Sequence, residues 1–170
     1  MKKGQIFSAD FILSLFLFLI VISISVLVWQ SSRLQIERYE RNNEMESIVL
    51  SVSNLLVKTP GNPENWEELG FDEINSIGFA ESDHILNNEK ISKFYNMNST
   101  YENTTGLLGA SRYGFYLTIT NMTDDKIFLD GKAGFGIEPP TTATDIHSIR
   151  RVCLLNEPEQ IIFLKIILRR

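Results

Sequence analysis

Two histidines, His84 and His147, one cysteine, Cys153, and a run of carboxylates at Glu64, Glu67, Glu68, Asp72 and Glu73 are the residues that could do chemistry in this 170-residue chain. Neither histidine stands at ligand spacing to a cysteine or a carboxylate cluster, so no metal site is expected. Gly131, Gly134 and Gly136 do not make a phosphate loop: no Lys-Ser/Thr follows them and no Rossmann-type strand precedes them. Ser51 and Ser53 fall within a helical pattern. The carboxylate run could hold a cation weakly, but a solvated turn fits it better. Cys153 lies in the apolar stretch RRVCLL, where nothing nearby would lower its pKa, so a buried, inert thiol is expected. A lone cysteine allows no internal disulfide. The residue types therefore predict no catalytic site and no cofactor, and a membrane-tethered enzyme is the least favoured reading.

The more informative ionisable residue is Asp10, which stands at the mouth of an apolar run. Phe11 to Trp29 carries no charge. At about 1.5 Å per residue, a helix of that length just crosses a hydrocarbon core of about 30 Å. A carboxylate so close to lipid is costly and calls for a reason. The run is too long for a secretory signal core, and no A-x-A-like exit follows it. Lys2 and Lys3 favour a cytoplasmic N-terminus, although Arg33, Arg38 and Arg41 lie on the far side. Trp29 suits the membrane–water boundary.

The whole chain has a net charge of −5, and the part beyond Trp29 is acidic, which argues against nucleic acid as a partner. Three sequons, at Asn98, Asn103 and Asn121, are potential glycan acceptors and favour an exported domain.

These residues need elements to position them. Met45, Ile48, Val49, Val52, Leu55 and Leu56 follow a 3.6-residue period and predict an amphipathic helix. It should end near Lys58, because TPGNP cannot continue it. The chain from Gln5 to Lys58 reads either as one nearly continuous helix or as an anchor and a second helix with a bend near Gln30 to Ser32. Asn87 to Asn96 predicts a short helix capped by Asn87 or Asn88, and Tyr101 to Leu108 another. Tyr113, Phe115, Leu117 and Ile119 alternate with smaller or polar residues and predict a half-buried strand. Lys126 to Leu129 is expected to pair back on it, and DGKAGFGIEPP to form a loop. DIHSIRRVCLL and IIFLKIILRR predict a hairpin whose last strand is central or covered on both faces. The expected fold class is α+β: a long N-terminal helix packed on a small antiparallel sheet of about four strands.

The stretch KKGQIFSADFILSLF resembles the processing region of archaeal type IV pilin-like precursors, the class III signal-peptide group. TPGNPENWEELG, SIGFA, NNEKISKF and GLLGASRYGFYLTI are similar to segments of the same group. The resemblance implies cleavage by a prepilin-type peptidase between Gly4 and Gln5, and assembly with other pilin-like subunits by helix packing. It also implies that Asp10 sets axial register by pairing with a neighbouring chain's free N-terminus. The usual pattern has Glu fifth in the mature chain, whereas here the acid is Asp and sixth. Asp10 as an interfacial charge that stays wet is the other reading, and both stand open here.

The implied organisation is a leader at 1–4, an apolar transmembrane and assembly helix at 5–29, an amphipathic continuation at 30–58 and an extracytoplasmic globular domain at 59–170. The expected function is a pilin-like cell-surface structural subunit, held in the membrane with its N-terminus cytoplasmic. The alternative is a non-cleaved, single-pass anchored domain that binds an extracellular partner. No small-molecule substrate is evident.

Overall fold

The computed structural model describes residues 3–140 and 145–170, with the backbone alone for residues 3–9, 37 and 38. The chain divides into two compact units, one ending at Asn43 and one running from Glu44 to Arg170. Helix α1 occupies Lys3–Lys58. A long N-terminal helix is therefore present, as the periodicity requires.

Within the second unit the α1 stripe is buried. Met45, Val49, Val52, Leu56 and Val57 are almost fully enclosed, with Ile48 and Leu55 packed at the margin. Each such side chain contributes about 1.5–3 kcal/mol by leaving water. The last carbonyls of a helix have no partner within it. Here they are satisfied by the chain that follows. The Thr59 backbone N–H and hydroxyl donate to the Leu55 carbonyl, Phe79 N–H donates to Leu56 O at 2.9 Å, and His84 N–H donates to Val57 O at 3.2 Å.

The segment making these bonds contains β1 (Gly61–Asn62), the 3-10 turns Trp66–Glu68 and Phe71–Glu73, β2 (Ser76–Ile77), β3 (Ala80–Ser82) and β4 (Ile85–Leu86). Strands β1 and β2 form a separate two-stranded ladder. Trp66 is fully buried and its indole N–H donates to Gly78 O at 2.9 Å. A Cβ at Gly78 would lie 2.1 Å from Thr59 O, so only glycine permits this close approach to the helix end.

Helix α2 (Asn88–Asn96) is capped by Asn87, whose side-chain oxygen accepts from the N–H groups of Glu89 and Lys90. Met97–Thr100 is a 3-10 turn, followed by α3 (Tyr101–Leu107). Strands β5 (Gly114–Thr120), β6 (Gly134–Gly136), β7 (Ile146–Leu155) and β8 (Gln160–Arg169) complete the chain.

The main sheet corrects the expected one. It has six strands in the order β3-β4-β7-β8-β5-β6, and it is mixed because β4 runs parallel to β7. The expectation of about four antiparallel strands missed β3 and β4, which are too short to show a two-residue period. It also placed the partner of β5 wrongly. Lys126 to Leu129 makes only isolated bridges, and Asp130-Gly131, both with positive φ, turn the chain within them. The strand beside β5 is β6, drawn from the stretch expected to be a loop. Gly136, at φ 86°, lets the backbone pass Phe115 O, which a Cβ would approach to 2.1 Å.

One face of this sheet is the core. Ile162, Leu164, Ile166 and Leu168 on β8 lie beside Phe115, Leu117 and Ile119 on β5 in the same apolar cluster as the α1 stripe. Phe94 of α2 contacts Phe79 and Phe135, with ring centroids 5.2 and 4.4 Å apart. The other face is covered at β5, where Thr118 donates to Ala133 O at 2.7 Å and the loop after β5 lies over Tyr116, and at the neighbouring Ile167 of β8. Strand β5 is therefore buried on both faces rather than half-buried.

Val52→Asp places an unpaired carboxylate in this cluster, at an expected cost of about 3–5 kcal/mol. Thermal unfolding of the detergent-solubilised chain should show a large fall in Tm, and an unchanged Tm would mean that the stripe does not hold the domain together.

Candidate functional site: an uncovered apolar helix

The feature with the clearest functional chemistry is the first part of α1. From Asp10 onward it contains a window of mean hydropathy 3.1, none of it buried. Phe11, Phe18, Leu27 and Trp29 are each 60% exposed or more, and the apolar side chains surround the helix instead of forming a stripe. Such a helix is long and apolar enough to cross a membrane. Ser23 and Ser25 donate to the carbonyls of Leu19 and Val21, both at 2.8 Å, so each hydroxyl is satisfied within the helix. Asp10 lies on α1, exposed, one residue before the apolar run. Gly4 and Gln5 lie in its first turns, while Met1 and Lys2 of the expected leader are outside the described residues.

The three sequons occupy different settings. Asn98 is exposed, and its side-chain oxygen accepts from Gly136 N–H at 2.8 Å, tying the 3-10 turn to β6. Asn103 is exposed on α3, but the third residue of its sequon, Thr105, is buried and donates to Tyr101 O. Asn121 is half-buried in the loop after β5. Its Oδ1 accepts from Thr123 N–H and Asp125 N–H, both at 2.9 Å, and its Nδ2 donates to Asp125 at 3.3 Å. The Thr123 hydroxyl also donates to the Asp125 carboxylate, and this bond together with that from Asn121 holds the Asp125 carboxyl below its ordinary range.

The other candidates do not come together. His84 sits in the β3–β4 turn beside Asp83, with Nδ1 2.9 Å from its carboxylate, whereas His147 is near the start of β7. The register joins β4 to the far end of β7, seven residues or about 23 Å from His147 at 3.3 Å per residue. Ser53 is buried, donates to Leu50 O and accepts from Arg151. Among the described residues no His, Cys, Asp and Glu side chains cluster as a metal would need. Cys153 is buried, and desolvation pushes its thiol up to about 11, against a smaller opposing effect of Arg151.

One buried group escaped the sequence reading. Lys90 is almost wholly enclosed, and its ammonium donates to the carbonyls of Pro60 and Glu64 at 2.8 and 2.6 Å, with Glu67 at 4.0 Å. It fastens α2 to the turn after α1. The helix period gave no sign of it, because a lysine on a short capped helix is ordinarily solvated.

The raised Cys153 pKa has a definite sign. The folded thiol stays neutral where the unfolded one ionises, so between about pH 9 and 11 stability falls as pH rises. Iodoacetamide at pH 8 should label Cys153 slowly in the folded chain and quickly in denaturant, and equal rates would contradict the burial. Among the sequons, glycopeptide mass spectrometry on chain from native membranes should find Asn98 more occupied than Asn121, whose amide nitrogen is engaged in its turn. The reverse order would refute this ranking.

No protein-family model, curated protein or solved structure matches the chain. Among the described residues the molecule presents one helix apolar enough to span a membrane and, beyond it, a folded β-rich domain packed on the continuation of that helix.

Proposed function

We propose that this chain is a pilin-like surface subunit, held in the membrane by the first part of α1 and displaying the domain from Glu44 onward outside. The observation that carries this reading is the change of pattern within α1. Phe11 to Trp29 is apolar all round and uncovered, whereas Met45 to Val57 is a stripe buried in a domain core. A helix of the first kind is unstable in water, and lipid or a bundle of like helices is the solvent that suits it. A long N-terminal helix with a β-sheet domain on its C-terminal part is broadly the arrangement expected of pilin-like proteins, and the Gly4-Gln5 junction followed by Asp10 agrees with that reading.

In this mechanism the prepilin-type peptidase cleaves between Gly4 and Gln5 and leaves a new amino group. Asp10, one residue before the uncharged run, supplies the opposite charge on a neighbouring helix and fixes axial register. The domain supplies no reaction chemistry; its task is to be presented.

Intact mass of the chain from native membranes should show loss of residues 1–4, and Gly4→Val should retain them. Asp10→Ala should be cut normally and resist alkaline extraction, yet lose helix-to-helix cross-links. A mature chain that begins at Met1 would remove the pilin reading and leave a single-pass anchored domain.

A further inference from the structure

The second face of the sheet is open where the loop after β5 stops. That loop ends its cover at Arg150, which pairs with Asp124 at 2.7 Å and stacks on Phe163 at 3.6 Å. Beyond it, the register places Val152 beside Phe163, and Leu154 beside Ile161. Val152 is 58% and Ile161 48% exposed, on adjacent strands of a face that also carries Ser148, Arg150 and Lys165. Lys165 lies directly across from Arg150, is exposed, and has no ion pair among the described residues. Like charges directly opposite each other on neighbouring strands are unfavourable, and Asp124 offsets only one of them. The open face thus combines an apolar patch with an uncompensated cation in an acidic molecule.

The complementary surface is on the same chain. Glu68, Asp72 and Glu73 are exposed on the two 3-10 turns after α1, and Glu64 is exposed just before the first of them. Beside them is a shallow cavity of about 310 Å³ with a mixed lining, in which apolar Leu69, Phe71, Ile74 and Met97 stand beside polar groups that include Lys93 and Asn96. These turns lie behind α2, which is fastened to them through Lys90 and packs on the core face of the sheet through Phe94. The sheet and α2 therefore separate the acidic surface from the open face, and one copy cannot bring the two together.

We propose that the open β7–β8 face of one chain docks on the acidic 3-10 turns of a second copy, with Lys165 against the carboxylates and Val152 and Ile161 against the half-buried side chains of Leu69 and Phe71. The contact joins two different surfaces, so it propagates head to tail instead of closing as a dimer. The apolar patch is small beside the roughly 800 Å² per partner of a stable interface in solution. The inference rests on the anchored reading in one respect: confinement of copies in one membrane raises their effective concentration and lets a weak contact be occupied.

The test is zero-length carbodiimide cross-linking of the full chain in native membranes, with light and heavy isotope-labelled copies co-expressed. Mixed-isotope peptides joining Lys165 to the segment Glu64–Glu73 are expected. Lys165→Glu should lower the cross-linked ladder about fivefold or more, the scale of replacing an exposed attraction by a repulsion. Glu68→Lys with Asp72→Lys in the same chain should restore it to within about twofold when the ladder is read with an amine-reactive linker. Val152→Ser, at an exposed position that leaves the core intact, should weaken the ladder as well. A ladder unchanged by Lys165→Glu, or lost without rescue by the acidic-turn reversals, would overturn the proposal. Alkaline extraction of the same samples reads the anchor separately: release of the chain refutes the membrane reading, whereas retention with no mixed-isotope peptide refutes only the docking.

Discussion

The C-terminal end of α1 is the constraint on which the domain depends. Three of its last carbonyls need donors, and they find them in Thr59, Phe79 and His84, residues that lead into or belong to the first short strands. A helix end satisfied in this way cannot be moved without orphaning polar groups in an apolar setting, at a cost of about 1–3 kcal/mol each. Trp66 and Gly78 complete the joint, the one by filling it and the other by having no side chain to obstruct it. The parallel pairing of β4 with β7 follows from this, because the chain emerging from the helix end is already laid along the edge of the sheet.

The same helix meets two opposite demands. Its C-terminal part is striped, and the sheet covers that stripe. Its N-terminal part has no polar face to turn to water, and among the described residues nothing covers it. The two patterns assign different solvents to different parts of a single element. In the proposed reading this is the functional design: one end is selected by lipid and neighbouring helices, the other by a protein core.

The domain shows a similar division on its sheet. The core face is closed by α1 and α2. The second face is closed at β5 by a loop that brings Ala133 and Lys126 over it, and left open at β7 and β8. The open part holds Arg150 and Lys165 opposite each other, an arrangement that a sheet selected for stability alone would avoid. Asp124 reaches only Arg150. Several polar groups inside the domain, by contrast, are bound within it: Lys90 to carbonyls, Ser53 to Arg151, and the Tyr101 hydroxyl to the Phe115 backbone.

The sequence by itself determined the elements with long periods. The uncharged run after Asp10, the stripe from Met45 to Leu56, a helix cap at Asn87 or Asn88 and the alternation in β8 are each carried by residues near one another in the chain, so local chemistry suffices to read them. Tertiary structure decided everything that rests on contact between distant segments. Strands β3 and β4 are two or three residues long and exist because the end of α1 and the end of β7 offer them hydrogen bonds. Strand β6 is a glycine-rich stretch that becomes a strand because Gly136 has no side chain to clash with Phe115 and Asn98 holds its backbone. The burial of Lys90 depends on carbonyls roughly thirty positions away. The open face needed the register of β7 on β8, since only pairing puts Arg150 across from Lys165 and Val152 beside Phe163. Periodicity reports which face of an element is apolar; it does not report what will cover that face, because the cover comes from elsewhere in the chain or from another molecule.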